Sequence, residues 1–265
     1  MPTWKRIAHS LVVLLLLTVP LLARANPFEH TLSNGLRIIV KEDRRAPTAA
    51  HMVWYRAGGM DEVSGTTGVA HVLEHMMFKG TPNVGAGEFS RRVAAAGGRD
   101  NAFTSKDYTA YFQQVPKAQL AQMMQLEADR MRMLDFNPAT LKNQQDVVKE
   151  EIRNNVQNQP YGGFMWIDIG QHAFSKWENN HDGYGSFHDL ENASLDDVRA
   201  FHRDYYGPNN AVLAIAGDVT PAQGFALARR YFGDIPARPY LGISDADAAQ
   251  MDQTAADYLD GLISG

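Results

Sequence analysis

The run His71-Val72-Leu73-Glu74-His75 places two imidazoles and a carboxylate within five residues. On a helix, side chains four apart lie one turn above each other, so His71 and His75 project from the same face. Two imidazole nitrogens at that separation can take two corners of a tetrahedral zinc site. Glu74 follows His71 by three positions and precedes His75 by one, so it reaches the open coordination position without being a ligand. A general base belongs there, because zinc lowers the pKa of a bound water toward neutrality. Val69, Ala70, Val72, Leu73, Met76, Met77 and Phe78 around these groups are apolar. Burying the two histidines and the glutamate in such a helix costs several kcal/mol unless a metal or a charge network satisfies them.

The chain contains no cysteine, so a third metal ligand must offer nitrogen or oxygen. The paired acids Glu150 and Glu151 are the best candidates, and helical spacing separates them. Glu150 shares its face with Asp146, Arg153 and Asn154, a solvent-like set. Glu151 shares its face with Gln144, Val147, Val148 and Asn155, which reads as the inward side and makes it the stronger candidate. His172, His181, His188 and His202 are scattered, and read as ordinary surface or core residues rather than a metal store.

The elements that must position these groups alternate in blocks. Residues 29–40 read as strand, turn and strand about Ser33-Asn34-Gly35, and 49–55 as a further strand ended by Gly58-Gly59. Helices are expected over 67–78 and 88–96, the second stopped by Gly97-Gly98. Strands at 103–105 and 109–115 follow, then long helices over 117–133 and 138–158, the latter with Pro138 in its first turn. A helical stretch through Ala173, a helix at 195–206, a strand at 211–216 and a helix at 221–231 complete the pattern. The fold class expected is α+β: a two-layer domain with helices packed on a mostly antiparallel sheet.

The common zinc-peptidase helix carries H-E-x-x-H, and the order here is inverted to H-x-x-E-H. With Glu151 seventy-six positions after His75, the sequence resembles the pitrilysin/insulinase family of metallopeptidases, which includes the mitochondrial processing peptidase. The resemblance takes in Gly68, Phe78-Lys79-Gly80-Thr81, Asn101-Ala102-Phe103-Thr104-Ser105 with Tyr111, and Asp146 to Glu151, and it runs from about Pro27 to Pro236. It implies one Zn2+ per chain held by His71, His75 and Glu151, with Glu74 as general base. It also implies that Asn101, Ala102 and Phe103 lie on an edge strand that binds an extended peptide substrate by strand addition. Many relatives carry a further acid seven positions before the third ligand, where this chain has Gln144. Active relatives pair two homologous domains or two subunits, so a second domain or partner subunit is expected.

The chain has 265 residues, 45% of them hydrophobic, and a formal net charge of −5. That charge gives no electrostatic reason to expect nucleic-acid binding. Lys5 and Arg6 precede an apolar run from Leu11 to Leu22, and Ala23-Arg24-Ala25 follows. This is the pattern of a cleaved signal peptide over residues 1–25, implying export, to the periplasm of a Gram-negative-type bacterium, with no stable membrane span afterwards. Residues 26–236 form the expected domain, and 237–265 read as a linker-like tail. The function expected is a zinc endopeptidase cutting peptides or small unfolded proteins. The alternative is a zinc-binding but non-catalytic subunit, or half of a two-domain peptidase.

Overall fold

The computed structural model describes residues 27–238. The expected signal segment and nearly all of the expected tail lie outside them. Six strands form one sheet: β1 (Phe28–Thr31), β2 (Arg37–Glu42), β3 (Thr48–Tyr55), β4 (Arg99–Thr104), β5 (Thr109–Pro116) and β6 (Ala211–Gly217). Their spatial order is β1-β2-β6-β3-β5-β4. All neighbours are antiparallel except β2 and β6, which pair in parallel. The α+β expectation therefore holds, with β6 entering between strands distant in sequence.

Alternation decides which sheet face the helices cover. In β3, Ala49, His51, Val53 and Tyr55 are buried, while the side chains between them are only half-buried. The sheet receives α1 (Val69–Met76), α2 (Glu88–Ala95) and α3 (Leu120–Arg132), and α4 (Pro138–Ile152) packs on α1. Four short or later helices follow before the last: α5 (Ile169–Ala173), α6 (Trp177–Asn180), α7 (Phe187–Asn192) and α8 (Leu195–Tyr205). The last is α9 (Pro221–Phe232), which packs on β2 and α3. Among the described residues no helix is long and apolar enough to cross a membrane.

Several boundaries moved, each for a local reason. The helix at 67–78 starts two residues late because Gly68 sits at φ +87, a left-handed turn that a side chain resists. A Cβ at Gly68 would also lie 2.5 Å from the Tyr184 carbonyl oxygen. The helix at 138–158 is α-helical only to Ile152 and then widens into a π-turn over Arg153–Gln157. The strand expected at 103–105 instead begins at Arg99. The polar run Arg99-Asp100-Asn101 has poor strand propensity, but it lies at the sheet edge, where pairing with β5 alone suffices.

A polar cluster runs through the core behind α1. Arg130 and Glu127, both on α3 and essentially unexposed, form an ion pair at 2.5 Å. Gln113 on β5 donates to Glu127 at 3.1 Å and is 2.7 Å from Nδ1 of His51. The Arg130 guanidinium lies over the rings of Phe78, Phe89 and Tyr111, at 5.1, 4.2 and 4.5 Å from their centroids. Phe78, just past the end of α1, is thus anchored on a buried cation.

Candidate metal centre

Helix α1 packs against α4, α8 and β4, which brings its polar face toward Glu151 at the end of α4. Nε2 of His71 lies 3.5 Å from one Glu151 carboxylate oxygen, and Nε2 of His75 lies 3.5 Å from the other. The three donor atoms all fall within 4.8 Å of one another. Ligands about 2.0–2.1 Å from a tetrahedral zinc ion stand about 3.3–3.5 Å apart, so the set fits the ion after a small closing of the donors around it. The donors are also in a binding state. Burial, with the neighbouring His75, holds the His71 pKa down to about 3, and burial lowers that of His75. Both rings are therefore neutral near pH 7, each with a free lone pair.

Glu150 points away, is well exposed, and pairs with Arg153. Glu151, not Glu150, faces the two histidines, and Val147, expected on the inward side, is exposed. Gln144 is buried and hydrogen-bonds His75. A neutral amide orients that ring without adding charge. Nδ1 of His71 is buried without a partner among the described residues, and the edge of the Tyr184 ring faces this imidazole at 5.4 Å.

Glu74 extends into a cleft of about 650 Å³ that His71, His75 and Glu151 also line, together with Lys79, the edge of β4 and residues 182–184. Burial pushes its pKa up to about 7, with the Glu151 charge adding to the rise and a hydrogen bond from Thr104 opposing it. A carboxylate poised near neutrality suits proton transfer at neutral pH.

Asn101, Ala102 and Phe103 lie on β4, whose outer edge has no partner strand among the described residues. The Ala102 amide donates to Oδ1 of Asn101 at 2.9 Å, so a local side chain covers that backbone donor. The Phe103 ring packs edge-on against Trp54 and Tyr108, at 5.5 and 6.0 Å.

Other contributors carried no readable motif. Glu62, fully buried, accepts from the Gly68 and Ala70 amides at 3.0 Å each and so caps the start of α1. His181, far along the chain and read as ordinary, is 3.3 Å from Glu62. Its two ring nitrogens face the carbonyl oxygens of Trp177 and Gly59, at 2.7 and 2.6 Å. Carbonyls only accept, so both nitrogens carry protons and the ring is a cation, its pKa raised by Glu62. Lys106 donates to the carbonyls of Asn179 and His181, at 2.8 Å each. Together these contacts clamp the 177–185 segment, with Tyr184, against the head of α1.

Comparison with known proteins agrees with this geometry. Residues 37–162 match the family described as Insulinase (Peptidase family M16), and residues 192–259 match the Peptidase M16 inactive domain. The chain is 32% identical over 240 residues to the zinc protease PqqE of Helicobacter pylori, covering 88% of this chain and 53% of that one. It is 32% identical over 214 residues to the uncharacterized zinc protease YmxG of Bacillus subtilis, covering 79% of this chain and 50% of that one. The crystal structure of a protease from Helicobacter pylori superposes with a TM-score of 0.78 at 32% identity, over 82% of this chain and 53% of that one. The chain spans about half the length of the relatives it matches. His71, Glu74, His75 and Glu151 all lie within the first matched segment. By sequence and by fold, the chain belongs to the insulinase (M16) family of zinc peptidases.

Proposed function

We propose that the chain is the catalytic half of an exported zinc endopeptidase, with His71, His75 and Glu151 as ligands of one Zn2+ and Glu74 as general base. The observation that carries this reading is the convergence of three metal-competent donors beside a carboxylate of near-neutral pKa. Zinc, when bound, supplies Lewis acidity that makes a water acidic and polarises a carbonyl. The remaining steps belong to the chain. The Asn101 side chain swings aside, and an extended peptide pairs its backbone with the free edge of β4, beginning at the Ala102 amide. Glu74 takes a proton from the attacking water and delivers it to the departing amine as the peptide C–N bond breaks.

Strand addition reads backbone rather than side chains, which supports peptides and unfolded segments as substrates. The relatives' greater length supports a second homologous domain or subunit closing over the cleft. The apolar run after Lys5 and Arg6, ending at Ala23-Arg24-Ala25, supports export with residues 26–236 as the working domain. A second reading, a zinc-binding half without activity of its own, is favoured by the match of residues 192–259 to the inactive-domain family. Cleavage of a quenched-peptide library by the zinc-loaded chain, with and without chelator, separates the two. Chelator-sensitive cleavage supports a self-sufficient peptidase, and zinc bound without cleavage supports the half-enzyme.

A further inference from the structure

A general base must hold one carboxylate oxygen toward the attacking water, yet a glutamate on a helix has three rotatable bonds. Among the neighbours of Glu74 on α1, Val72, Leu73 and Met76 are buried and apolar and offer its carboxylate no hydrogen bond. The restraint comes from across the cleft, where Oγ1 of Thr104 lies 2.5 Å from Oε2 of Glu74. In the ionised form that serves as base, Glu74 only accepts, so the Thr104 hydroxyl donates to it. Behind it stands Thr109, directly opposite in the β4–β5 register and wholly buried. The Thr109 hydroxyl donates to the Ala57 carbonyl at 2.8 Å and sits 3.4 Å from that of Thr104. The two paired strands thus fix the backbone that carries the Thr104 hydroxyl.

We propose that Thr104 is the positioning residue for Glu74: its hydroxyl ties down Oε2, leaves Oε1 for the water, and links the orientation of the base to the strand on which the peptide docks. This rests on the reading of Glu74 as the base. Because Thr104 belongs to β4, a peptide that pairs with the strand edge steadies the hydroxyl and the carboxylate together. Substrate docking and base alignment are then one mechanical event.

The test compares Thr104→Val, which keeps the branched shape and loses the donor, with Thr104→Ser, which keeps the donor. Thr104→Ala is a second donor-free variant with no added bulk. Crystal structures of the zinc-loaded variants are expected to show the Glu74 carboxylate displaced in Thr104→Val and Thr104→Ala and in place in Thr104→Ser. Zinc content should be unchanged in all three. In peptide cleavage, kcat should fall about 10- to 100-fold for the two donor-free variants, with KM little changed, and Thr104→Ser should restore it. An unmoved carboxylate in Thr104→Val overturns the proposal whether or not the chain cleaves peptides alone. So does a Thr104→Ser variant as impaired as Thr104→Val. Cleavage by Glu74→Gln at the wild-type rate would instead overturn the reading of Glu74 and leave the Thr104 geometry standing.

Discussion

Glu74 and the three candidate donors beside it could be read from the sequence because their chemistry is local. Spacing along α1 put both imidazoles on one face, and helix-face reasoning distinguished Glu151 from Glu150. In the structure Glu151 lies between the two rings and Glu150 is tied to Arg153. If Glu74 is the base, Glu74→Gln keeps the shape and hydrogen-bonding reach but cannot accept the proton. Turnover should then fall about 10²- to 10⁴-fold while zinc remains bound, as paired activity and metal analysis would show. Thr104 and Gln144 escaped a functional assignment for the opposite reason. Each acts on a residue far away in sequence, Thr104 on Glu74 and Gln144 on His75, and no periodicity encodes such a contact.

At the scale of elements, strands rich in β-branched and aromatic residues were found close to their observed limits, as in β3 and β5. The error at β4 is instructive: its first half is polar, and only the edge position lets it be a strand. The head of α1 was equally opaque. Its cap is Glu62, six residues before Gly68, held by His181 from a distant segment. That arrangement predicts that Glu62→Gln weakens the cap and leaves a buried imidazolium without its counter-ion. The expected cost is about 3 kcal/mol of unfolding free energy, read by denaturant titration, with weaker zinc binding because α1 carries two of the donors. A Glu62→Gln chain as stable as wild type would show that the clamp contributes nothing.

For the molecule as a whole, pH dependence follows from histidines buried without charge. His202, on α8, has its pKa held down to about 3 by burial, with Arg238 facing it as a further cause. In the unfolded chain the same ring titrates at about 6.5. Between these values the unfolded state binds a proton that the folded state refuses. Stability is therefore whole above about pH 6.5 and is lost as pH falls, by about 1 kcal/mol per histidine at pH 5.5. The stability gap between wild type and His202→Gln should narrow on acidification from pH 7 to 5.5, and a constant gap would contradict the assignment. The central claim concerns the metal, and zinc content after equilibrium dialysis tests it most directly. The account predicts one zinc per chain for wild type, Glu74→Gln and Glu150→Gln, and almost none for His71→Ala and Glu151→Ala. A wild-type chain that takes up no zinc, or a Glu151→Ala chain that holds it as tightly as wild type, would contradict it.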